Sequence, residues 1–142
     1  MLYFAYGSNM NHTQMNERCP GSRFIGPAKL SSHKFVYDGY SKTRKGAVAN
    51  IINKNNSKDA VWGGLFKISK DNKNSLDCYE GYPRVYERME VTVQDLNGKM
   101  FNALVYLRKG EKVGIPSENY HKTVLCGARD CGLPQDYIDS NL

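Results

Sequence analysis

Two alternating segments joined by a tight turn are the feature that most restricts the fold of this 142-residue chain. Apolar and polar residues alternate strictly from Arg88 to Gln94, and the alternation resumes from Phe101 to Leu107. A period of two is typical of half-buried β-strands. The Asn97-Gly98 pair between them is the strongest short-range signal for a hairpin turn, because both residues accept positive φ angles. We therefore predict an antiparallel β-hairpin here.

Five further strand-like segments lie ahead of the hairpin, and each is rich in apolar, β-branched or aromatic residues. They are Leu2–Tyr6, Phe24–Leu30, Phe35–Asp38, Ala47–Ile52 and Val61–Ile68. Polar stretches, such as the one at 53–57, separate them. The chain is therefore predicted to be rich in short strands that turn back on one another.

Helices are predicted where a capping residue precedes apolar residues at helical spacing. The predicted caps and helices are Asn9 or Asn11 for a short helix ending near Arg18, Ser69 for Lys70–Tyr79, and Ser117 for Glu118–Arg129. A short helix can also close the chain. Because strands outnumber helices and hairpins outnumber βαβ units, we predict an α+β fold with a small, mainly antiparallel, β-barrel-like sheet and flanking helices. Chain length and the lack of repeats favour one domain over residues 1–142.

The charge balance does not indicate a nucleic-acid or membrane partner. Twenty Lys and Arg residues against 14 Asp and Glu residues give a net charge of +6, but the basic residues are dispersed. Their densest cluster, Lys42, Arg44 and Lys45, is interpreted as a solvated loop. No segment approaches the roughly 20 apolar residues of a membrane span, and residues 1–6 lack the features of a signal peptide. We expect a cytoplasmic protein, and leave association into a homodimer open.

Motifs for metals, nucleotides and activated nucleophiles are missing from the sequence. Neither G-x-G-x-x-G, G-x-x-x-x-G-K-[ST], G-x-S-x-G nor H-E-x-x-H occurs. The cysteines show no C-x-x-C spacing and the histidines are isolated. We therefore expect no metal and no cofactor. The N-x-[ST] sequences at 11–13 and 55–57 are taken as chance matches, because no secretion signal accompanies them.

One candidate site is Tyr6-Gly7-Ser8-Asn9, where a predicted strand gives way to a predicted helix. Backbone N–H groups ahead of a helix have no partner within it, so such a loop can hold a carboxylate or a developing oxyanion. Gly7 would let the backbone approach a ligand closely. The same pattern also describes an ordinary turn.

A second candidate is Glu80, in the last turn of a predicted helix and within a tyrosine-rich segment. The negative end of the helix dipole and desolvation by nearby tyrosines both raise the pKa of a carboxyl group. A raised pKa suits a general acid or base that works near neutral pH. The alternative is a surface glutamate next to a glycine cap.

Together the two candidate segments resemble the gamma-glutamylcyclotransferase family. The resemblance rests on the strand that runs into Tyr6-Gly7-Ser8-Asn9 and on Leu76-Asp77 ahead of Glu80-Gly81. Other segments look like the family's central strands and C-terminal helix: Gly46–Ile51, Val61-Trp62-Gly63, Gly127-Ala128-Arg129 and Gly132-Leu133-Pro134. The agreement in order and spacing extends over nearly the whole chain.

The resemblance implies an enzyme that cleaves gamma-glutamyl amides or peptides by attack of their own alpha-amine, which releases 5-oxoproline and a free amino acid or amine. It also implies a barrel-like α+β fold, no cofactor and a small-molecule substrate as the partner. By the same resemblance, Glu80 is the general acid/base and the loop Tyr6–Asn9 holds the gamma-glutamyl moiety. Tyr86 and Tyr120 stand where the family tends to have pocket tyrosines.

Two questions stay open at this point. Relatives of this fold act on gamma-glutamyl dipeptides, gamma-glutamylamines, glutathione or biosynthetic intermediates, and Tyr82-Pro83-Arg84 departs from the family pattern at the leaving-group pocket. The contrasting class of function is a non-catalytic binding module that holds an acidic partner on its basic surface. Such a module is expected to have lost the carboxylate at position 80, and Glu80 is present.

Overall fold

The structure is a computed structural model that describes residues 1–55 and 58–142. Asn56 and Ser57, and with them most of the second N-x-[ST] sequence, lie outside the described residues. The elements in chain order are β1 (Leu2–Ala5), a short 3₁₀ helix (Ser8–Met10), α1 (His12–Arg18), β2 (Arg23–Ser31), β3 (His33–Ser41), β4 (Gly46–Asn53), β5 (Ala60–Lys67), α2 (Lys70–Glu80), β6 (Glu87–Asp95), β7 (Met100–Leu107), α3 (Glu118–Asp130) and α4 (Gln135–Asn141).

Five of the strands close into a barrel in the order β1-β5-β2-β6-β7. Neighbouring strands run antiparallel, except that β1 meets β7 in parallel where Tyr3 pairs with Leu104. Side chains from the barrel strands fill the core, and Phe4, Val93 and Val105 are fully buried. The predicted α+β class with a barrel-like, mainly antiparallel sheet is confirmed.

The predicted hairpin is confirmed, but one of its faces is less buried than its alternation suggests. Strands β6 and β7 pair antiparallel from Glu87–Leu107 to Gln94–Met100. On the predicted inward face Val93 is fully buried, whereas Met89 is 48% exposed. The reason is topological: among the described residues, β6 pairs with β2 at Gln94 and Asp95 alone, so its first half is paired with β7 on one side only.

Strands β3 and β4 form a separate two-stranded antiparallel sheet beside the barrel, a division that the sequence did not predict. A buried polar network joins this sheet to the end of β7. Asp38 forms an ion pair with Arg108 at 2.7 Å, and Asn50 donates a hydrogen bond to Asp38 at 3.2 Å. Asn50 also accepts a hydrogen bond from the Arg108 backbone N–H at 3.1 Å. The network fixes where β4 lies relative to the barrel.

The helix caps match the sequence prediction. The side chain of Asn11 accepts from the Gln14 N–H, that of Ser117 from the Tyr120 N–H, and Ser69 forms a capping box with Asn72. Residues 8–10 form a separate 3₁₀ helix rather than the start of α1. None of the helices in the described ranges combines the length and apolar character needed to cross a bilayer.

Candidate active site

A cavity of about 620 Å³ lies where β1, β4, α2 and α3 meet. Its size falls within the range of small-molecule sites. All seven residues singled out in the sequence line it: Tyr6, Gly7, Ser8, Asn9, Glu80, Tyr86 and Tyr120. The fold therefore brings together residues that are separated by up to 114 positions in the chain, although their roles stay predictions.

The loop after β1 forms one wall of the cavity, and Gly7 is required there for steric reasons. A methyl group added to Gly7 would lie 2.8 Å from the Cβ of Ala49 in β4, closer than non-bonded carbons approach. In the described part of the chain, the backbone N–H groups of Gly7, Ser8 and Asn9 donate to no acceptor. Gly7 is the N-cap of the 3₁₀ helix and Ser8 and Asn9 are its first two residues, positions where such donors are unpaired by geometry. The loop can therefore accept a carboxylate or an oxyanion.

Asn9 is buried and connects the loop to the carboxyl group of Glu80. Its Nδ2 donates to the hydroxyl of Tyr3 at 3.0 Å and to Oε1 of Glu80 at 3.4 Å. Its Oδ1 accepts from Nε2 of Gln14 at 2.9 Å and from Nη1 of Arg18 at 3.1 Å. Because both ends of the amide are occupied, the orientation of Asn9 is fixed.

Glu80 is the last residue of α2, and the left-handed Gly81 (φ 66°, ψ 33°) turns the chain away behind it. The side chain is partly buried, and it lines the cavity. Burial raises the pKa of Glu80 to about 7, against the opposing effect of the Arg18, Arg44 and Arg108 cations. The predicted upward shift is confirmed, with desolvation as its cause.

Asp77 anchors the helix turn that carries Glu80. It accepts a hydrogen bond from the Tyr106 hydroxyl at 2.6 Å and forms an ion pair with Arg88. Arg88 in turn lies over the ring of Tyr82, 3.9 Å from its centroid. Burial acts to raise the pKa of Asp77, but the hydrogen bonds from Arg88 and Tyr106 outweigh it and hold that pKa below its usual range. The Leu76-Asp77 segment thus fixes the end of α2 to β6 and β7.

Tyr86 and Tyr120 bind the same backbone unit from opposite sides. The Tyr86 hydroxyl donates to the carbonyl of Ala49 at 2.7 Å, while the Tyr120 hydroxyl accepts from the N–H of Ala49 at 3.0 Å. Burial raises the pKa of Tyr120 to about 12 and that of Tyr86 above its usual range, so both phenols stay protonated. The Ala49 contact uses a lone pair of Tyr120, and a side-chain hydrogen bond with Ser8 also acts on the pKa of Tyr120.

Three arginines in the cavity were missed by sequence reasoning. Arg18, Arg44 and Arg108 come from α1, from the connection between β3 and β4, and from the residue after β7. The interpretation of the cluster at 42–45 as a solvated loop is wrong for Arg44, which is half-buried and donates to Oε1 of Gln14 at 2.8 Å. The Ser41 hydroxyl accepts from the Arg44 N–H and shapes the turn that directs it inward. No local pattern distinguishes it from its exposed lysine neighbours.

Side chains that could ligate a metal ion are not clustered in the described part of the chain. Across residues 1–55 and 58–142, no group of three or more His, Cys, Asp or Glu side chains is arranged to hold a metal ion. The absence of a metal and of a cofactor stays a prediction.

Comparison with known proteins gives matches over most of the chain. The model of a family described as AIG2-like matches residues 60–140. Gamma-glutamylcyclotransferases of Homo sapiens and Mus musculus are 36% and 34% identical over 141 residues, which cover 96% of this chain and 74% of each relative. A solved gamma-glutamyl cyclotransferase superposes with a TM-score of 0.91 at 34% identity, covering 98% of this chain and 84% of that one. An AIG2-like protein of Mus musculus, with a TM-score of 0.60 and 18% identity over 84% of this chain and 80% of its own, shares the fold alone.

Proposed function

Because the chain belongs to the gamma-glutamylcyclotransferase family, we propose that it converts gamma-glutamyl amides or peptides into 5-oxoproline and a free amino acid or amine, with Glu80 as the general acid/base. The comparisons make it an enzyme of the cyclotransferase kind. One observation carries the assignment of Glu80: a carboxyl group with a pKa of about 7 lies within 3.4 Å of the loop residue Asn9, inside the cavity.

The substrate brings its own nucleophile in this reaction. The alpha-amine nitrogen attacks the gamma-carbonyl carbon, a five-membered ring forms, and the bond from that carbon to the leaving nitrogen breaks. The enzyme has to bend the glutamyl chain so that amine and carbonyl meet, which converts a rare encounter into a positioned one. No activated serine, cysteine or metal-bound water is needed.

Glu80 can serve both proton transfers of such a reaction. As a carboxylate it takes a proton from the alpha-amino nitrogen that attacks, and as a carboxylic acid it then delivers one to the leaving nitrogen. A pKa of about 7 leaves both forms populated at neutral pH, which is where a shared acid/base works best. Asn9 holds the carboxyl group in place by its 3.4 Å contact.

The loop after β1 supplies donors for negative charge. The unpaired N–H groups of Gly7, Ser8 and Asn9 suit the carboxylate of the glutamyl group or the oxyanion that forms at the gamma-carbon. The Tyr120 hydroxyl lies on the same side, since its oxygen is 3.6 Å from the position that a Cβ of Gly7 would take. These donors support a role for the Tyr6–Asn9 loop in holding the gamma-glutamyl moiety.

A blocked substrate tests the proposed reaction. Gamma-glutamyl-alanine should release 5-oxoproline, detected by mass spectrometry, whereas the same compound with an acetylated alpha-amine should give no product. Acetylation removes the nucleophile but leaves the scissile amide intact. Release of glutamate from the free substrate, or of N-acetylglutamate from the blocked one, would show that water is the nucleophile and that the proposal is wrong.

A further inference from the structure

Arg108 brings a nearly buried cation to the cavity. The residue follows β7 and lines the cavity, and its side chain is 9% exposed. Its main counter-ion is Asp38 of β3, whose side chain is 1% exposed and lies 2.7 Å away. Replacing a buried ion pair by apolar residues is often neutral or stabilising, so such a pair does little for folding in itself. The pair is better explained by the geometry that it fixes beside the cavity.

The guanidinium group of Arg108 is held in one orientation. Its Nη2 atom pairs with the Asp38 carboxylate and donates to the Asp38 carbonyl oxygen at 3.0 Å, while Nη1 donates to Glu111 at 2.9 Å. The main chain is fixed as well, because the Arg108 N–H donates to Oδ1 of Asn50 at 3.1 Å and the Arg108 carbonyl accepts from Nδ2 of Asn50 at 3.0 Å. Neither end of Arg108 can shift without breaking several hydrogen bonds.

The guanidinium group also lies against the ring of Tyr86. The distance from its central carbon to the ring centroid is 5.1 Å, within the range of a cation–π contact. Burial raises the pKa of Tyr86, and a side-chain hydrogen bond with Arg108 opposes that shift. The Tyr86 hydroxyl donates to the carbonyl of Ala49 at 2.7 Å. Arg108 is therefore placed to orient the ring whose hydroxyl holds Ala49.

These contacts converge on one short piece of β4. Ala49 and Asn50 are adjacent in that strand, so Arg108 holds it directly through Asn50 and indirectly through Tyr86. Ala49 is also the residue that faces the loop after β1, because its Cβ lies 2.8 Å from the position that a Cβ of Gly7 would take. A movement of Ala49 would change the width of the cavity at Gly7.

We propose that Arg108 is a positioning residue: held by Asp38, it keeps Tyr86 on the Ala49 backbone and so sets the distance between β4 and the loop after β1. The inference rests on the proposed function, in which that loop holds the gamma-glutamyl moiety. Arg108 does not have to contact the substrate for this role. The role requires an arginine, because a planar guanidinium can pair with a carboxylate and lie against an aromatic ring at the same time.

A double-variant cycle tests whether Arg108 acts through Tyr86. Arg108→Gln and Tyr86→Phe should each lower kcat/KM for gamma-glutamyl-alanine about tenfold to a hundredfold, since small displacements in a site are costly. Each should also raise KM, which a smaller folded fraction cannot do. The double variant should be at most about threefold worse than the more impaired single variant, because both changes remove the same support. Losses that multiply in the double variant would show independent roles and overturn the inference.

The charge of Arg108 has a separate signature. Arg108, with Arg18 and Arg44, opposes the burial that raises the pKa of Glu80 to about 7. The other ionisable groups whose charges couple to Glu80 are five buried phenols: Tyr3, Tyr6, Tyr86, Tyr106 and Tyr120. Arg108→Gln should therefore move the acid limb of the profile of kcat/KM against pH to higher pH.

Arg108→Lys separates that charge from the positioning role. Lysine keeps the charge and should leave the acid limb in place, but it lacks the planar fork that holds both Asp38 and Tyr86. We expect Arg108→Lys to lose most of the activity that Arg108→Gln loses. Wild-type activity in Arg108→Lys would mean that charge alone matters, which contradicts a positioning role.

Two further variants keep the test decisive. Lys109→Gln removes the same charge from an exposed neighbour, and should change neither kcat/KM nor the pH profile. Because Arg108→Gln leaves the Asp38 carboxylate buried without its cation, it can destabilise the fold. Asp38→Asn combined with Arg108→Gln removes both charges, and should fold and still show the raised KM. A wild-type KM in this combination would refute the inference, whereas absence of 5-oxoproline from the wild-type enzyme would refute the proposed function.

Discussion

The two walls of the cavity are built in different ways. The loop wall consists of consecutive residues, Gly7–Asn9, and offers main-chain N–H groups whose availability follows from their place before a helix. The arginine wall consists of Arg18 and Arg44, which belong to different elements and are linked through the side chains of Asn9 and Gln14. Main-chain donors do not depend on which side chains stand there, whereas side chains from separate elements can change independently. The comparison teaches that one wall depends on backbone geometry and the other on side chains that only the tertiary structure brings together.

The largest expected effect follows from a substitution of Glu80, the proposed general acid/base. Glu80→Gln should lower kcat about a hundredfold to ten-thousandfold, the usual contribution of a positioned acid/base. Near wild-type turnover of the purified variant in a 5-oxoproline assay would exclude Glu80 as the catalyst.

The same variant has a stability signature with a definite sign. The pKa of Glu80 is raised by burial to about 7 from an ordinary value of 4.5, so its stabilising contribution is complete below pH 4.5 and is lost as the pH rises through 7. Glu80→Gln removes the ionisable group and with it this loss of stability at high pH. We expect the free energy of unfolding of the variant to exceed that of the wild type at pH 8 by on the order of 2 kcal/mol, and to show no such gain at pH 4.

The next largest effect concerns the loop wall. Gly7→Ala places a methyl group 2.8 Å from the Cβ of Ala49, so the loop must move away from β4. We expect kcat/KM to fall about tenfold to a hundredfold, since overpacking costs roughly 1–3 kcal/mol and the displaced N–H groups are the ones proposed to hold the glutamyl group. The double variant Gly7→Ala with Ala49→Gly should recover part of the activity. Failure of this rescue would argue against the steric explanation.

A smaller effect is expected where the helix carrying Glu80 is anchored. Asp77→Asn weakens the ion pair with Arg88 and changes the hydrogen bond from Tyr106. We expect kcat to fall about tenfold, with KM little changed, because a slight misplacement of a catalytic group slows the reaction. Asp71→Asn, an exposed position on the same helix, is the control. A loss in both variants would indicate general destabilisation of α2 instead.

The smallest expected effect concerns the electrostatic interaction between Arg44 of the arginine wall and Glu80. The Arg44 cation lowers the pKa of Glu80, so its removal in Arg44→Gln should raise that pKa further. The acid limb of the profile of kcat/KM against pH should move to higher pH, while Lys42→Gln should leave it in place. A shift to lower pH would contradict the assignment of that limb to Glu80.

Much of the candidate site could be predicted because its signals are local. The Asn97-Gly98 turn, the caps at Ser69 and Ser117, and the strand-glycine-helix pattern at Gly7 each depend on a few neighbouring residues. In each of these cases the physics operates over one or two turns of chain. The direction of the Glu80 pKa shift was also expected from the sequence, but its cause is burial, which the tertiary structure provides.

The amino-acid sequence by itself determined the elements, the α+β class, and the residues of the loop and of Glu80. The tertiary structure decided which charges meet: Arg44 turns into the cavity while Lys42 stays exposed, and Arg108 pairs with Asp38 whereas Arg18 and Arg44 form no ion pair within the described ranges. It also decided that Met89 stays exposed on an alternating strand, because β6 has one neighbour along its first half. Hydrogen-bonded turns and caps act between close neighbours in the chain, whereas burial and electrostatic pairing depend on distances in space.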